Sequence, residues 1–186
     1  MLEFRAATRY AKSLLSLAEE QGVLDEVNKD MLLFTKTCEE NREFSLVLKN
    51  PIIKHDKKLN ILEAIFGDKM NKLSLAILTL STKKNREAIL PAIAKQFHIQ
   101  YNVFKGIEDA VIKTSIPLTD SLRNEFETIV KNISGKKEVE MEEIIDETLI
   151  GGYILKVGDK QIDSSVSGKL KRIRKDITIN KYIKGF

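Results

Sequence analysis

The chain has 186 residues, of which 42% are hydrophobic and 31% charged, a balance that allows one or two small domains and excludes a large multidomain machine or a wholly disordered chain. The net charge of +4 falls entirely in residues 1–105, which carry 17 basic and 13 acidic groups, whereas residues 106–186 carry 14 of each; so small an excess is weak support for a nucleic-acid partner. One cysteine, Cys38, excludes an intrachain disulfide, and Glu3, Arg5, Arg9 and Lys12 interrupt any secretory apolar run, while the longest uncharged apolar stretch, Leu73 to Thr82, is about half of the ~20 residues that span a bilayer.

Phe4, Ala7, Ala11, Leu14 and Ala18 step by three and four residues, with Tyr10, Leu15 and Leu17 widening the stripe. This predicts an amphipathic first helix ended near Gly22. Leu24, Val27, Met31, Phe34 and Cys38 repeat the pattern for a second helix. Asn41 is placed to cap a short third helix through Phe44, Val47 and Leu48, which Asn50-Pro51 stops because the residue before proline avoids helical geometry. Leu59, Leu62, Ile65 and Phe66 mark a fourth helix. In the fifth, Leu73, Leu75, Ala76, Ile77, Leu78 and Leu80 surround nearly the whole circumference. Such a helix is either the centre of a bundle or one that offers a face to a partner. The sixth carries Ile89, Leu90, Ile93, Phe97, Tyr101 and Phe104, with Pro91 predicting a kink or a start delayed to about Leu90.

The pattern changes at Gly106. Ala110, Ile112 and Thr114 alternate with Val111, Lys113 and Ser115, a strand ended by Pro117. Thr119 caps a helix bearing Leu122, Phe126, Ile129, Val130 and Ile133. A strand around Val139 and Met141 follows, then two short apolar runs about Gly158-Asp159 that read as a hairpin. Asp163, Ser164 or Ser165 caps a last helix, with Val166, Leu170, Ile173 and Ile177 expected as its inner face. The predicted class is α+β: a six-helix N-terminal bundle over residues 1–105 and a small mixed α/β domain over residues 106–186.

Catalytic constellations are nearly absent. His55 lies among charged residues, His98 sits beside Phe97 on a helix, and neither stands at a spacing typical of zinc or nucleophile sites. The acidic block of Glu138, Glu140, Glu142, Glu143, Asp146 and Glu147 lacks the glycine of a calcium loop and reads as the wet face of a strand. Gly151-Gly152 is followed by a further strand, whereas a phosphate loop precedes a helix, so a bulge or a close backbone approach explains the pair better. Lys169, Lys171, Arg172, Arg174 and Lys175 form a basic ridge without aromatic side chains for base stacking. A small nucleic-acid-binding protein using this helix is the alternative reading.

Two terminal stretches carry a family resemblance. Arg9-Tyr10-Ala11-Lys12-Ser13-Leu14-Leu15-Ser16-Leu17-Ala18 resembles the first-helix signature of the ATP synthase delta subunit family, which includes the oligomycin-sensitivity conferring protein. Leu149-Ile150-Gly151-Gly152, Val157-Gly158-Asp159, Ile162-Asp163-Ser164-Ser165-Val166 and Lys169-Leu170 resemble its C-terminal signature. The chain departs from that pattern at Ser164, where glycine is frequent, at Ser167, where arginine is frequent, and at Lys84-Asn85, where asparagine-glycine is usual. The resemblance implies a non-catalytic stator subunit of the F-type rotary ATP synthase, without cofactor or metal, which links the catalytic head to the peripheral stalk. It further implies that the N-terminal bundle binds N-terminal helices of the α subunits by helix-in-groove recognition, along Tyr10, Ala11 and Leu14 on one side and Ala76, Ile77 and Leu80 on the other. The C-terminal domain is expected to bind the b subunits of the stalk, with Gly151 and Gly152 as candidate contacts. No nucleic acid is expected, and membrane association comes only through the complex, at the cytoplasmic face of a bacterial inner membrane.

Overall fold

The structure, a computed structural model, describes residues 2–178. The fold is α+β, and the chain divides into two compact units, residues 1–104 and 105–186.

In the first unit, α1 (Leu2–Glu20) buries Ala7, Ala11, Leu14 and Ala18, the predicted stripe, whereas Phe4 at its start is exposed. Gly22, at φ +69°, closes α1: its own N–H donates to Glu19 O and that of Val23 to Ala18 O, the paired bonds that satisfy carbonyls left open at a helix end. On α2 (Leu24–Glu40), Leu24, Val27, Met31, Phe34 and Cys38 are all buried, as the spacing predicts. Asn41 does not cap the N-terminus of α3 (Arg42–Lys49); its side-chain amide turns back to Thr37 O at 3.2 Å. Only Asn41 separates the two helices, so its side chain can serve one of the two ends, and it serves the carbonyls of α2. Asn50 then takes an extended conformation ahead of Pro51.

Helix α4 (His55–Phe66) delivers Phe66 to a trio with Phe34 and Phe44, with ring centroids 5.4 to 6.0 Å apart. These edge-on and tilted contacts tie α2, α3 and α4 together. Sequence periodicity did not place Lys58 in the interior, yet its side chain is 1% exposed and its Nζ donates to Glu87 Oε1 at 2.5 Å and Leu48 O at 3.0 Å. Helix α5 (Lys72–Lys83) packs against α1, α2 and α4 and leaves one side open. It buries Ser74, Leu78, Ser81 and Thr82, while Ala76 and Leu80 are exposed. Its small hydroxyl side chains and Leu78 face the interior, Leu73, Leu75 and Ile77 pack against the core at the margins, and Ala76 and Leu80 turn outward. A 3-10 turn (Glu87–Ile89) leads into α6 (Leu90–Lys105), whose start at Leu90 accommodates Pro91 in the first turn without losing a helical hydrogen bond.

In the second unit the order is β1 (Ile107–Thr114), α7 (Asp120–Ser134), β2 (Glu138–Ile145), β3 (Tyr153–Val157), β4 (Lys160–Asp163) and α8 (Val166–Thr178). The sheet runs β2-β1-β3-β4, with β1 and β2 parallel and the other pairs antiparallel. Ala110, Ile112, Leu155 and Val157 project from the sheet onto Phe126 and Val130 of α7. Thr119 caps α7 and Gly135, at φ +71°, ends it. The acidic residues of β2 lie on an edge strand, where Arg123 of α7 donates to Glu143 at 2.6 Å; this pairing holds the Glu143 carboxyl below its ordinary value.

The last helix departs from its predicted burial. Val166, Leu170, Ile173 and Ile177 of α8 are exposed, the last three by 54%, 54% and 78%. Helix α7 covers the sheet face that carries Ala110, Ile112, Leu155 and Val157, and the apolar stripe of α8 stays outside that core.

Candidate functional site

Two helices of the first unit form an apolar cleft. Tyr10, Ser13, Leu14 and Leu17 of α1 face Leu73, Ala76, Ile77 and Leu80 of α5 across a space of about 260 Å³. Both walls use the same offsets of zero, three, four and seven residues, the spacing that places side chains on one helical face. The structure thus brings five of the six expected groove residues together: Tyr10, Leu14, Ala76, Ile77 and Leu80. Ala11 is a correction. It is fully buried in the core stripe with Ala7 and Ala18, because it lies about 100° around the helix from Tyr10. Ser13, Leu17 and Leu73 were missed, although the offset rule applied to Tyr10 and Leu80 finds all three.

Leu14 forms the floor, being nearly inaccessible, while Leu17 and Leu80 are 44% exposed at the rims. Tyr10 is held from the side: Arg86 Nη1 donates to its hydroxyl at 3.0 Å, and the guanidinium carbon lies 5.9 Å from the ring centroid. Ser13 donates to Arg9 O within α1. The lining is therefore mostly hydrocarbon with one aromatic ring, and its two hydroxyls, of Tyr10 and Ser13, are engaged by Arg86 and by Arg9 O.

Reactive residue types elsewhere have structural partners. His98 sits half-buried with Nδ1 3.1 Å from Asn28 Oδ1 and Nε2 3.4 Å from Asn102 Nδ2. His55 is exposed beside Asp56. Burial pushes the Cys38 thiol up to about 11, with Glu39 adding to the shift, which keeps it protonated and unreactive near neutrality. Among the described residues no group of His, Cys, Asp or Glu is arranged to hold a metal ion.

In the second unit the glycine pair packs against the chain that leads into α8. Gly152 has φ +78°, and a Cβ there would lie 2.5 Å from Ser164 O. Gly151 O accepts from Val166 N at 2.9 Å, and Ser164 N donates to Tyr153 O at 2.9 Å. Asp163 Oδ1 accepts from Ser165 N at 2.9 Å and Ser165 Oγ at 2.6 Å, and Ser165 Oγ accepts from Gly168 N at 3.0 Å, capping α8. The Ser165 hydroxyl, followed by its N–H, holds the Asp163 carboxyl below its ordinary value. Arg172 closes the arrangement by donating to Asp163 O at 3.0 Å. This clasp accounts for the glycines through close internal backbone approach. It launches a helix whose outer surface combines the apolar stripe with Lys169, Lys171, Arg172, Arg174 and Lys175.

Contiguous exposed apolar faces mark sites of contact with other proteins, and the described residues carry two, the α1–α5 cleft and the stripe on α8. A family profile described as ATP synthase delta (OSCP) subunit matches residues 6–177. The ATP synthase subunit delta of Cytophaga hutchinsonii is 44% identical over 178 residues, covering 96% of this chain and 97% of that protein. The corresponding subunit of Amoebophilus asiaticus is 38% identical with the same coverage. A chain of the Toxoplasma gondii mitochondrial ATP synthase hexamer shares the fold, with a TM-score of 0.76 at 20% identity over 92% of this chain and 96% of that one. The chain belongs to the ATP synthase delta (OSCP) subunit family, and is a non-catalytic stator subunit of the peripheral stalk. No helix among the described residues is long and apolar enough to cross a membrane.

Proposed function

We propose that the first unit, as a six-helix head-binding bundle, receives N-terminal helices of the ATP synthase α subunits in the groove between α1 and α5. The second unit receives the C-terminal ends of the stalk b subunits. In this reading α8 supplies the b-subunit contact through its apolar stripe, and Gly151 and Gly152 act beneath it by fixing where the helix starts. The protein then works at the cytoplasmic face of the bacterial inner membrane and is held there only through the complex. Its output is an unyielding joint that transmits the reaction to rotor torque.

The observation that carries the reading is the matched pair of groove walls. An amphipathic helix presents its own apolar residues at the same offsets and can interdigitate with both. Apolar area removed from water stabilises by about 25 cal/mol per Å², so covering the half-exposed Leu17 and Leu80 rims offsets part of the entropic cost of association. The apolar stripe on α8 likewise favours a protein partner over phosphate, because a phosphate-binding ridge has no use for Leu170 and Ile173 at its centre.

Isothermal titration of the full chain with a peptide of the α-subunit N-terminus tests the groove. Leu80→Asp places a carboxylate in the wall and is expected to weaken binding by more than about 2 kcal/mol, the scale of an interface hot spot. Unchanged affinity with an unaltered circular dichroism spectrum removes the groove assignment.

A further inference from the structure

The wall helix α5 has few apolar anchors of its own. Of its buried residues, Ser74, Ser81 and Thr82 are polar and only Leu78 is aliphatic, while its other large side chains point toward the groove or lie only half-buried. Leu73, Leu75 and Ile77 add partly buried contacts with the core, but apolar contact is non-directional and by itself fixes rotation and axial position only loosely. Directional contacts must supply the register.

They come from α2. Asp30 is 8% exposed, and its Oδ2 accepts from Asn71 N at 2.8 Å and from Ser74 Oγ at 2.6 Å. One buried carboxylate oxygen therefore pins both the cap residue of α5 and a fully buried residue one turn in. Four residues earlier on α2, Glu26 accepts from the Asn71 side-chain amide at 2.8 Å, and Asn71 Oδ1 accepts from Leu73 N at 3.0 Å. Leu73 is the first residue of the groove wall. The carboxylate also faces the positive end of the helix dipole. Hydrogen bonds to an ionised acceptor are short and orientation-dependent, so this contact selects one rotation of α5, the one that turns Leu73, Ala76, Ile77 and Leu80 toward α1.

We propose that Asp30 is a positioning residue for partner binding: it touches nothing in the groove, yet it sets the register of the α5 wall that the partner helix meets. This rests on the groove reading and deepens it. Without Asp30 the Asn71 N–H and the Ser74 hydroxyl lose their buried acceptor, and the wall can rotate or slide to find another. Binding then has to reorder a helix that the native chain holds in place beforehand.

The test measures affinity of the full-length chain for the α-subunit N-terminal peptide, at a temperature well below unfolding, for five variants. Asp30→Ala is expected to lose about tenfold in affinity, in line with one charge-assisted hydrogen bond, with helical content unchanged. Asp30→Asn, whose amide oxygen can accept both bonds, is expected to restore binding to within about threefold of the native chain. Leu48→Ala creates a cavity on α3, a helix that lines neither wall, and serves as the control that lowers stability while leaving affinity unchanged. Native affinity in Asp30→Ala, or an equal loss in Leu48→Ala, overturns the positioning role. Should Asp30→Ala not fold, Ser74→Ala removes one of the two bonds and is expected to weaken the peptide by about threefold; unchanged affinity there overturns the proposal equally. Leu80→Asp separates the two levels: if it binds like the native chain, the groove reading falls and takes this inference with it. If it abolishes binding while Asp30→Ala does not, only the positioning role falls.

Discussion

Removing Glu87 is expected to unfold the first unit more readily than any single loss of an exposed charge, because it strands an ammonium in the interior. Lys58 Nζ is held by Glu87 Oε1 at 2.5 Å and by Leu48 O at 3.0 Å, with the lysine side chain 1% and the glutamate side chain 12% exposed. Among the described residues Glu87 Oε2 has no hydrogen-bond partner, so the pair is well made on one side only. Breaking a buried pair by deleting one member costs about 3–5 kcal/mol. The partial exposure of Glu87 puts Glu87→Ala toward the lower end, about 3 kcal/mol, because water can reach part of the vacated site. Against a typical total of about 5–15 kcal/mol this is a large fraction, and for a unit of this size it lowers the melting temperature by roughly 12 °C or more. Lys58→Met is expected to be comparably harmful, because it leaves the carboxylate buried. The double variant Lys58→Met/Glu87→Leu is expected to be milder than either single change, since two uncharged side chains of similar volume remove the desolvation cost together. Thermal and urea unfolding followed by far-ultraviolet circular dichroism measures all three. Single changes that cost less than about 1 kcal/mol, or a double change as costly as the sum of the singles, refute this account of the pair.

Two further expectations concern the clasp below α8. Gly152→Ala meets both a positive φ and a backbone oxygen 2.5 Å from the new Cβ, so it should destabilise the second unit by about 2 kcal/mol or more in urea titration; Gly151→Ala, whose Cβ would meet only Val166 Cγ2 at 3.5 Å, should cost under about 1 kcal/mol. The lowered Asp163 carboxyl contributes stability that is complete above its unfolded value near 3.8 and is lost as the pH falls through the lower folded value. Acidification below about pH 4 should therefore lower the protection of the Ser165 and Gly168 amides relative to their intrinsic exchange rates, and Asp163→Asn should make that protection insensitive to that range.

Much of the fold was readable because helix and strand periods are local. The stripe from Leu24 to Cys38 on α2, the alternation of Ala110, Ile112 and Thr114 on β1, and the Thr119 cap of α7 each depend on residues within a few positions of one another. Asn41 shows where local reading ends: two helix termini compete for one side chain, and the outcome depends on how tightly the chain turns between them. Lys58 shows the same limit in another form. Its burial depends on Glu87, 29 residues later, and no spacing rule links an α4 lysine to a turn that precedes α6.

The site divides along the same line. Ala11 and Ala76 are chemically identical and both lie on helices with broad apolar stripes, yet one is sealed in the core and the other stands exposed on a groove wall. On α8, Val166, Leu170, Ile173 and Ile177 follow the same periodic rule as the buried faces of other helices, but they lie outside the core that α7 forms with the sheet. The amino-acid order determined which side chains share a helical face, where helices start and stop, and that no reactive constellation is encoded at a recognisable spacing. Tertiary packing alone decided which faces are covered and which remain open to partners. Periodicity is a property of one element, whereas burial depends on the neighbour that arrives from a distant part of the chain.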